Sequence, residues 1–216
     1  MAPETEVTQR AMKVLRQEGD YEGGKLLLLS QPDRVDWVWH ATDNPELVQE
    51  VSTLGSFRET IPKFQSLLEK WLSASPSALR LALGAELVLP VDSVAGGYER
   101  LKHYLPGLRL NSVNSSDLIY RINRSRQSKA KPNLKLNRLS TWGVIQGTVL
   151  SFLVSGPAGL GPSLAVPPSL RPACRLELDI NTAPESQVDL QSDDIRVLLQ
   201  EFMELASEFT ELGDVE

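Results

Sequence analysis

The residues best suited to chemistry form a basic segment between positions 121 and 138. No Asp or Glu occurs from Leu118 to Arg175, so no acid nearby in the sequence neutralises these charges. Lys and Arg interleaved with Asn and Ser are the donors that contact phosphate groups. The binding residues that we predict, for a protein partner or for nucleic acid, are Arg121, Arg124, Arg126, Lys129, Lys131, Lys135 and Arg138.

The remainder of the chain is acidic, and this asymmetry leaves three interpretations of the basic segment. The net charge is −6, and the stretch from Glu177 to Glu216 holds twelve acids against one base, Arg196. The segment binds nucleic acid, docks an acidic protein partner, or faces the chain's own acidic C-terminal helix. The overall acidity argues against non-specific binding to nucleic acid, although a local patch can override net charge.

Other candidates for chemistry are sparse. Glu177 and Asp179 lie two residues apart on one strand, which places both carboxylates on one face for metal binding or acid–base work. Such a pair is more often the polar face of a strand. One cysteine, Cys174, and two histidines, His40 and His103, exclude a disulfide framework and a four-cysteine zinc site. We therefore expect no cofactor, no metal and no enzyme.

Hydrophobic periodicity predicts the elements that must position these residues. Alternating leucines from Leu79 to Pro90 predict a central strand, and Cys174 to Ile180 alternates in the same way. Helical spacing predicts an amphipathic helix from Phe57 to Leu72, a second from about Ser93 to Tyr104, and a long C-terminal helix closed by Gly213. The predicted fold is α+β, with a mostly antiparallel sheet and helices packed on one side.

The first part of the chain is predicted to differ from the rest. Helical spacing of Val7, Ala11, Val14 and Leu15 predicts a helix from Thr5 to Glu18, so residues 1–24 form a helical extension. Residues 25–216 then form one α+β domain, with 25–110 and 111–216 as alternative sub-lobes. Within it, turn residues 31–34 join two strands into a hairpin that carries Trp37 and Trp39.

Two further stretches bear on function and location. Residues 156–172 are rich in Pro and Gly and predict a long loop, which lacks the Gly-Lys-Ser/Thr of a phosphate-binding loop. No apolar run follows Met1 or reaches the length of a membrane span. With a single cysteine, the chain is expected to be cytoplasmic and to have no membrane partner.

Several of these places resemble a sporadically distributed, poorly characterised bacterial family of soluble α+β proteins. Gln31-Pro-Asp-Arg34 followed by Trp39 is similar to that family's hairpin, and the later helices and strands follow in the family's order. Ala85 and Glu86 stand where typical members carry Tyr and Asn, and the family's earlier strand is not evident. The resemblance implies an α+β fold without established catalytic residues. Such families often lie in defence loci, which implies an accessory role in antiviral defence.

The sequence therefore favours a non-enzymatic binding or scaffolding subunit of a larger protein assembly. Its contacts are expected from the basic segment, the 156–172 loop and the acidic C-terminal helix. The alternative is a nucleic-acid-binding subunit that uses the basic segment. The third hypothesis is an enzyme that uses Glu177 and Asp179.

Overall fold

The computed structural model divides the chain into two compact units, residues 1–60 and 61–216. It describes residues 3–9, 13–42, 51–146, 150–151, 163–164, 171–186 and 188–214. The division lies between Thr60 and Ile61. The predicted α+β class is confirmed, because helices and antiparallel sheets are both present and a long helix ends the chain.

The N-terminal unit is a four-stranded antiparallel meander in the order β1-β2-β3-β4. Its strands are β1 Thr5–Gln9, β2 Val14–Tyr21, β3 Gly24–Gln31 and β4 Arg34–Ala41. The predicted hairpin over 25–41 is thus confirmed, and Trp37 and Trp39 lie opposite Leu28 and Leu26. Trp39 donates its indole N–H to the Tyr21 carbonyl at 3.1 Å.

The predicted helix from Thr5 to Glu18 is wrong, because this stretch forms β1 and part of β2. Lys13 adopts a positive φ of 53° just before β2, which a continuous helix does not permit. β2 pairs along its length with the leucine-rich strand β3, so Leu15 to Gly19 lie opposite Ser30 to Leu26. Pairing with β3 outweighs the weak helical preference of this short segment.

The C-terminal unit is built on a sheet of order β5-β11-β8-β6, with β7 also paired to β8. The predicted Leu79–Pro90 strand is present, but it is an edge strand and not a central one. β11 takes the central place because it pairs with both β5 and β8. The strands are β5 Ala82–Pro90, β6 Ile119–Asn123, β7 Arg126–Gln127, β8 Lys135–Ile145, β9 Leu150–Ser151, β10 Ser163–Leu164 and β11 Ala173–Thr182. Among the described residues, β9 and β10 pair only with each other.

The structure describes three helices beside this sheet: α1 Phe57–Leu72, α2 Val94–Tyr104 and α3 Ser192–Leu212. The buried face of β11 carries Cys174, Leu176, Leu178 and Ile180, and α2 and α3 pack against it. α1 is tied to α3 by an ion pair between Glu69 and Arg196. Among the helices that the structure describes, none has the length and apolar character to cross a membrane.

Candidate functional site

The basic segment does not form one surface, because its residues lie on two faces of the sheet. Arg121 pairs with Thr141, which in turn lies opposite Glu177 of β11. Glu177 is next in sequence to the buried leucines of β11, and neighbouring residues of a strand point to opposite faces of the sheet. Glu177, and Arg121 in line with it, therefore lie on the face away from α2 and α3. Arg138 lies opposite the buried Ile180 and therefore on the helix-covered face. The predicted binding residues are thus divided.

Most of the predicted binding residues are paired with carboxylates of the same chain. The guanidinium of Arg124 makes two hydrogen bonds to Asp214, at 3.0 and 2.9 Å. Arg126 reaches Glu201 at 3.1 Å, and Lys131 pairs with Asp194. Lys135 and Arg138 lie farther from their acids, at 3.7 Å from Glu185 and 3.8 Å from Glu208. Among the seven predicted residues, only Arg121 and Lys129 have no carboxylate of the described ranges within 4.0 Å of their side chains.

Glu201 is the residue that holds the loop after β7. It is 5% exposed, and it accepts hydrogen bonds from the backbone N–H groups of Lys129 at 2.8 Å and Ala130 at 3.3 Å. Ser128 Oγ and Arg126 also donate to its carboxylate. Burial alone would raise the pKa of Glu201, but these hydrogen bonds outweigh it and lower the pKa. Ser128, in the middle of the basic segment, is buried.

Asp214 makes the corresponding contact at the C-terminal end of α3. Besides Arg124, it accepts a hydrogen bond from the Tyr120 hydroxyl at 2.7 Å, and its N–H donates to the Tyr104 carbonyl at 2.8 Å. The Arg124 guanidinium, helped by Tyr120, lowers the pKa of Asp214. The carboxylate in turn raises the pKa of Tyr120. Both ends of α3 are thus fixed to the basic segment.

Arg138 is 2% exposed and has a structural role. Its guanidinium lies over the Phe209 ring at 5.1 Å, and burial lowers its pKa. Its Nε and Nη2 atoms have no hydrogen-bond partner in the described part of the chain and are fully enclosed. Enclosed atoms leave no adjacent space for a ligand or for nucleic acid. Arg138 therefore packs the sheet against α3.

Sequence reasoning missed Glu201 and Asp214, although one signal for Glu201 exists. Glu201 lies three residues after Leu198 and four before Leu205, within the apolar stripe of α3. A charged residue on a core-facing stripe needs a counter-charge or hydrogen-bond donors, which indicates a contact with another segment of the chain. Asp214 follows the helix-closing Gly213 and gives no comparable signal.

The predicted carboxylate pair is engaged by its own neighbours. Glu177 and Asp179 do lie on one face, opposite Glu86 and Gly84 of β5. Arg175 bonds both Glu177 and Glu86, the latter at 2.6 Å, and Asp179 accepts a hydrogen bond from the Asn181 amide at 2.8 Å. The residues of the described ranges contain no group of three or more His, Cys, Asp or Glu that could hold a metal ion.

The other singled-out residues also lack an arrangement for catalysis. Cys174 is buried with its sulfur 3.4 Å from the Gly97 carbonyl, and burial raises the pKa of the thiol to about 11. His40 contacts the Ala41 carbonyl at 2.9 Å, and His103 packs against the Tyr104 ring. The predicted loop over 156–172 lies outside the described residues, apart from β10 and residues 171–172.

The outer edge of β5 presents backbone groups that pair with none of the strands described by the structure. Thr182 N–H donates to the Leu81 carbonyl, and Val91 N–H donates to the Pro172 carbonyl, both at 2.9 Å. These two bonds show that the odd-numbered residues of β5 point their N–H and C=O groups toward β11. In an antiparallel pair the alternate residues point their N–H and C=O groups the other way. No described strand pairs with this edge. The residues with outward backbone groups are Ala82, Gly84, Glu86 and Val88.

This edge has few of the features that usually block a further strand. β5 has nine residues, contains no Lys, and has its only proline at its end, Pro90. Ala82 and Gly84 are exposed, and a Cβ built on Gly84 would meet only the Leu178 carbonyl, at 3.7 Å. Leu79 and Leu89 are 62% and 41% exposed near the two ends of the strand. As far as the described residues go, the edge is therefore open to a strand from another segment.

A comparison of the chain with protein-family models, with curated proteins and with solved structures gives no match.

Proposed function

We propose that this protein is a non-enzymatic binding subunit of a larger protein assembly, and that it binds an extended segment of its partner along β5. The observation that carries the proposal is the row of outward N–H and C=O groups at Ala82, Gly84, Glu86 and Val88. Main-chain hydrogen bonds of this kind give affinity when a peptide adds a strand to a sheet edge.

The side chains beside this edge indicate what the added strand would look like. The odd-numbered residues of β5 lie on the helix-covered face, where Leu89 remains 41% exposed. On the other face, Ala82 and Gly84 leave space, and Glu86 is held by Arg175. A partner segment that alternates apolar with small or polar residues would bury its apolar side chains beside Leu89.

The nucleic-acid alternative has less support. Five of the seven predicted residues already lie within 4.0 Å of a carboxylate of this chain, so releasing them for phosphates would leave acids such as the buried Glu201 unpaired. The alternative would rest on Arg121 and Lys129. An accessory role in bacterial defence and a cytoplasmic location are further proposals, which rest on the resemblance and on the single cysteine.

Proline substitutions at outward positions test the proposal. In Ala82→Pro and Val88→Pro the lost N–H points away from β11, so the sheet should remain intact. We expect the immobilised wild-type protein to capture a protein from an extract of its host. Nuclease treatment should not release that captured protein. Each proline variant should capture at least about tenfold less of it, because one outward hydrogen bond is lost and the ring obstructs the added strand.

The control is a proline at an odd-numbered position, Ala85→Pro, which removes a bond to β11 and should lower the melting temperature. The outward variants should keep a melting temperature close to that of the wild type. Undiminished capture by Val88→Pro would refute strand addition at β5. Recovery of nucleic acid that is lost in an Arg121→Ala, Lys129→Ala variant would instead establish the nucleic-acid alternative.

A further inference from the structure

Four donors of the loop after β7 converge on one carboxylate. The Arg126 guanidinium and the Lys129 N–H donate to one oxygen of Glu201, at 3.1 and 2.8 Å. The Ser128 hydroxyl and the Ala130 N–H donate to its other oxygen. Successive backbone N–H groups that point at one anion form a nest, and a nearby guanidinium adds a charge-assisted hydrogen bond. This loop therefore has the donor set of an oxyanion site.

The hydrogen bonds that shape the loop lie outside α3. The Ser128 N–H donates to the Leu134 carbonyl at 2.9 Å, and the Leu134 N–H donates to the Lys131 carbonyl at 2.8 Å. The Lys131 N–H donates to Ser128 Oγ at 2.9 Å, so the hydrogen of that hydroxyl is left to point at the carboxylate. At the start of the loop, β7 pairs with β8. The donors should therefore stay in place when the carboxylate of Glu201 is removed.

Replacing Glu201 by Ala would open a space of defined size and charge inside the protein. The atoms that are lost, one methylene and the carboxylate, together match an acetate ion. The Arg126 guanidinium has no other carboxylate within 4.0 Å among the described residues. Its Nε is enclosed and has no hydrogen-bond partner in that part of the chain. An enclosed cation beside donors without acceptors favours the entry of an anion.

We infer that the loop over 126–130 is a carboxylate-binding nest and that Glu201 is its resident ligand. In the wild-type protein this buried side chain keeps other anions out. In Glu201→Ala the nest takes a small free carboxylate instead. A planar anion with two oxygens matches the donors, which reach each oxygen of Glu201 in a pair, whereas a tetrahedral phosphate does not. The inference does not depend on the strand site at β5.

Urea unfolding of Glu201→Ala, in sodium acetate and in sodium chloride of equal concentration, tests this inference. At about 100 mM, acetate should raise the folding equilibrium constant at least about fivefold over chloride, which corresponds to a dissociation constant of about 25 mM or lower. The wild type and Glu201→Gln, whose side chains fill the space, should respond equally to the two salts. If Glu201→Ala is unfolded in chloride, acetate should restore the folded state.

Two further variants separate binding at the nest from the general effects of salts on stability. Glu204→Ala removes an exposed carboxylate of α3 and should gain nothing from acetate. Ser128→Ala combined with Glu201→Ala removes one donor and should weaken acetate binding at least about twofold. An equal response of Glu201→Ala and Glu204→Ala to acetate, or an unfolded Glu201→Ala that acetate does not refold, would overturn the inference. A larger gain from phosphate than from acetate would also overturn it and would favour the nucleic-acid alternative.

Discussion

Replacing Glu201 by Ala is expected to lower the free energy of unfolding by about 3–5 kcal/mol. The substitution removes the acceptor for Ser128 Oγ, for two backbone N–H groups and for the Arg126 guanidinium. These donors are partly or fully buried, so each would lose a hydrogen bond without full access to water. The side chain of Arg126 would also lose its counter-charge.

Urea unfolding at neutral pH measures this effect, and the neighbouring acid provides the control. Glu204 lies one turn further along α3 and is exposed, so Glu204→Ala should change the free energy of unfolding by no more than about 0.5 kcal/mol. Equal effects of the two substitutions would show that the carboxylate of Glu201 does not hold the 128–130 loop.

Replacing Gly213 by Ala is expected to cost about 2–5 kcal/mol of stability. Gly213 ends α3 with a φ of 80°, a conformation that residues with a Cβ rarely adopt. An added Cβ would also lie 2.6 Å from the Tyr104 Cα and would overlap the Tyr104 carbonyl. The backbone must then move, which breaks the hydrogen bond from Asp214 to Tyr104. Arg124 would lose its well-placed carboxylate as a result.

Thermal unfolding of Gly213→Ala measures this cost, with Gly107→Ala as its counterpart. A Cβ on Gly107 meets nothing within 4 Å, so that variant should melt within a few degrees of the wild type. If Gly213→Ala melts at the same temperature as Gly107→Ala, the close approach of α3 to Tyr104 does not exist in solution.

Local sequence signals predicted the helices of the C-terminal unit well. Ser93 caps α2 by accepting a hydrogen bond from Gly96 N–H at 3.0 Å, as its residue type and position indicate. The apolar stripe of α3 predicted the last helix, and Gly213 predicted where it ends. These features depend on side chains within a few positions of one another, which a single sequence displays directly.

The errors concern which strands pair with each other. Pairing of β2 with the adjacent β3 makes a strand of a segment that has helical spacing. β5 is an edge strand because β11, about ninety residues later, is the only described strand that pairs with it. The basic segment meets α3 across 75 residues at the Arg126–Glu201 contact. An alternating pattern indicates a strand with one buried face, but it does not indicate which strand lies beside it.

Residue-resolved amide hydrogen exchange along β5 tests the central claim most directly. In the isolated protein we predict fast exchange at Ala82, Gly84, Glu86 and Val88, whose N–H groups point outward. The odd-numbered amides Leu83, Ala85, Leu87 and Leu89 should exchange far more slowly, because they bond to β11. A captured partner should then protect the even-numbered amides. Uniform protection of both sets in the isolated protein would contradict the account, because the edge would already be covered.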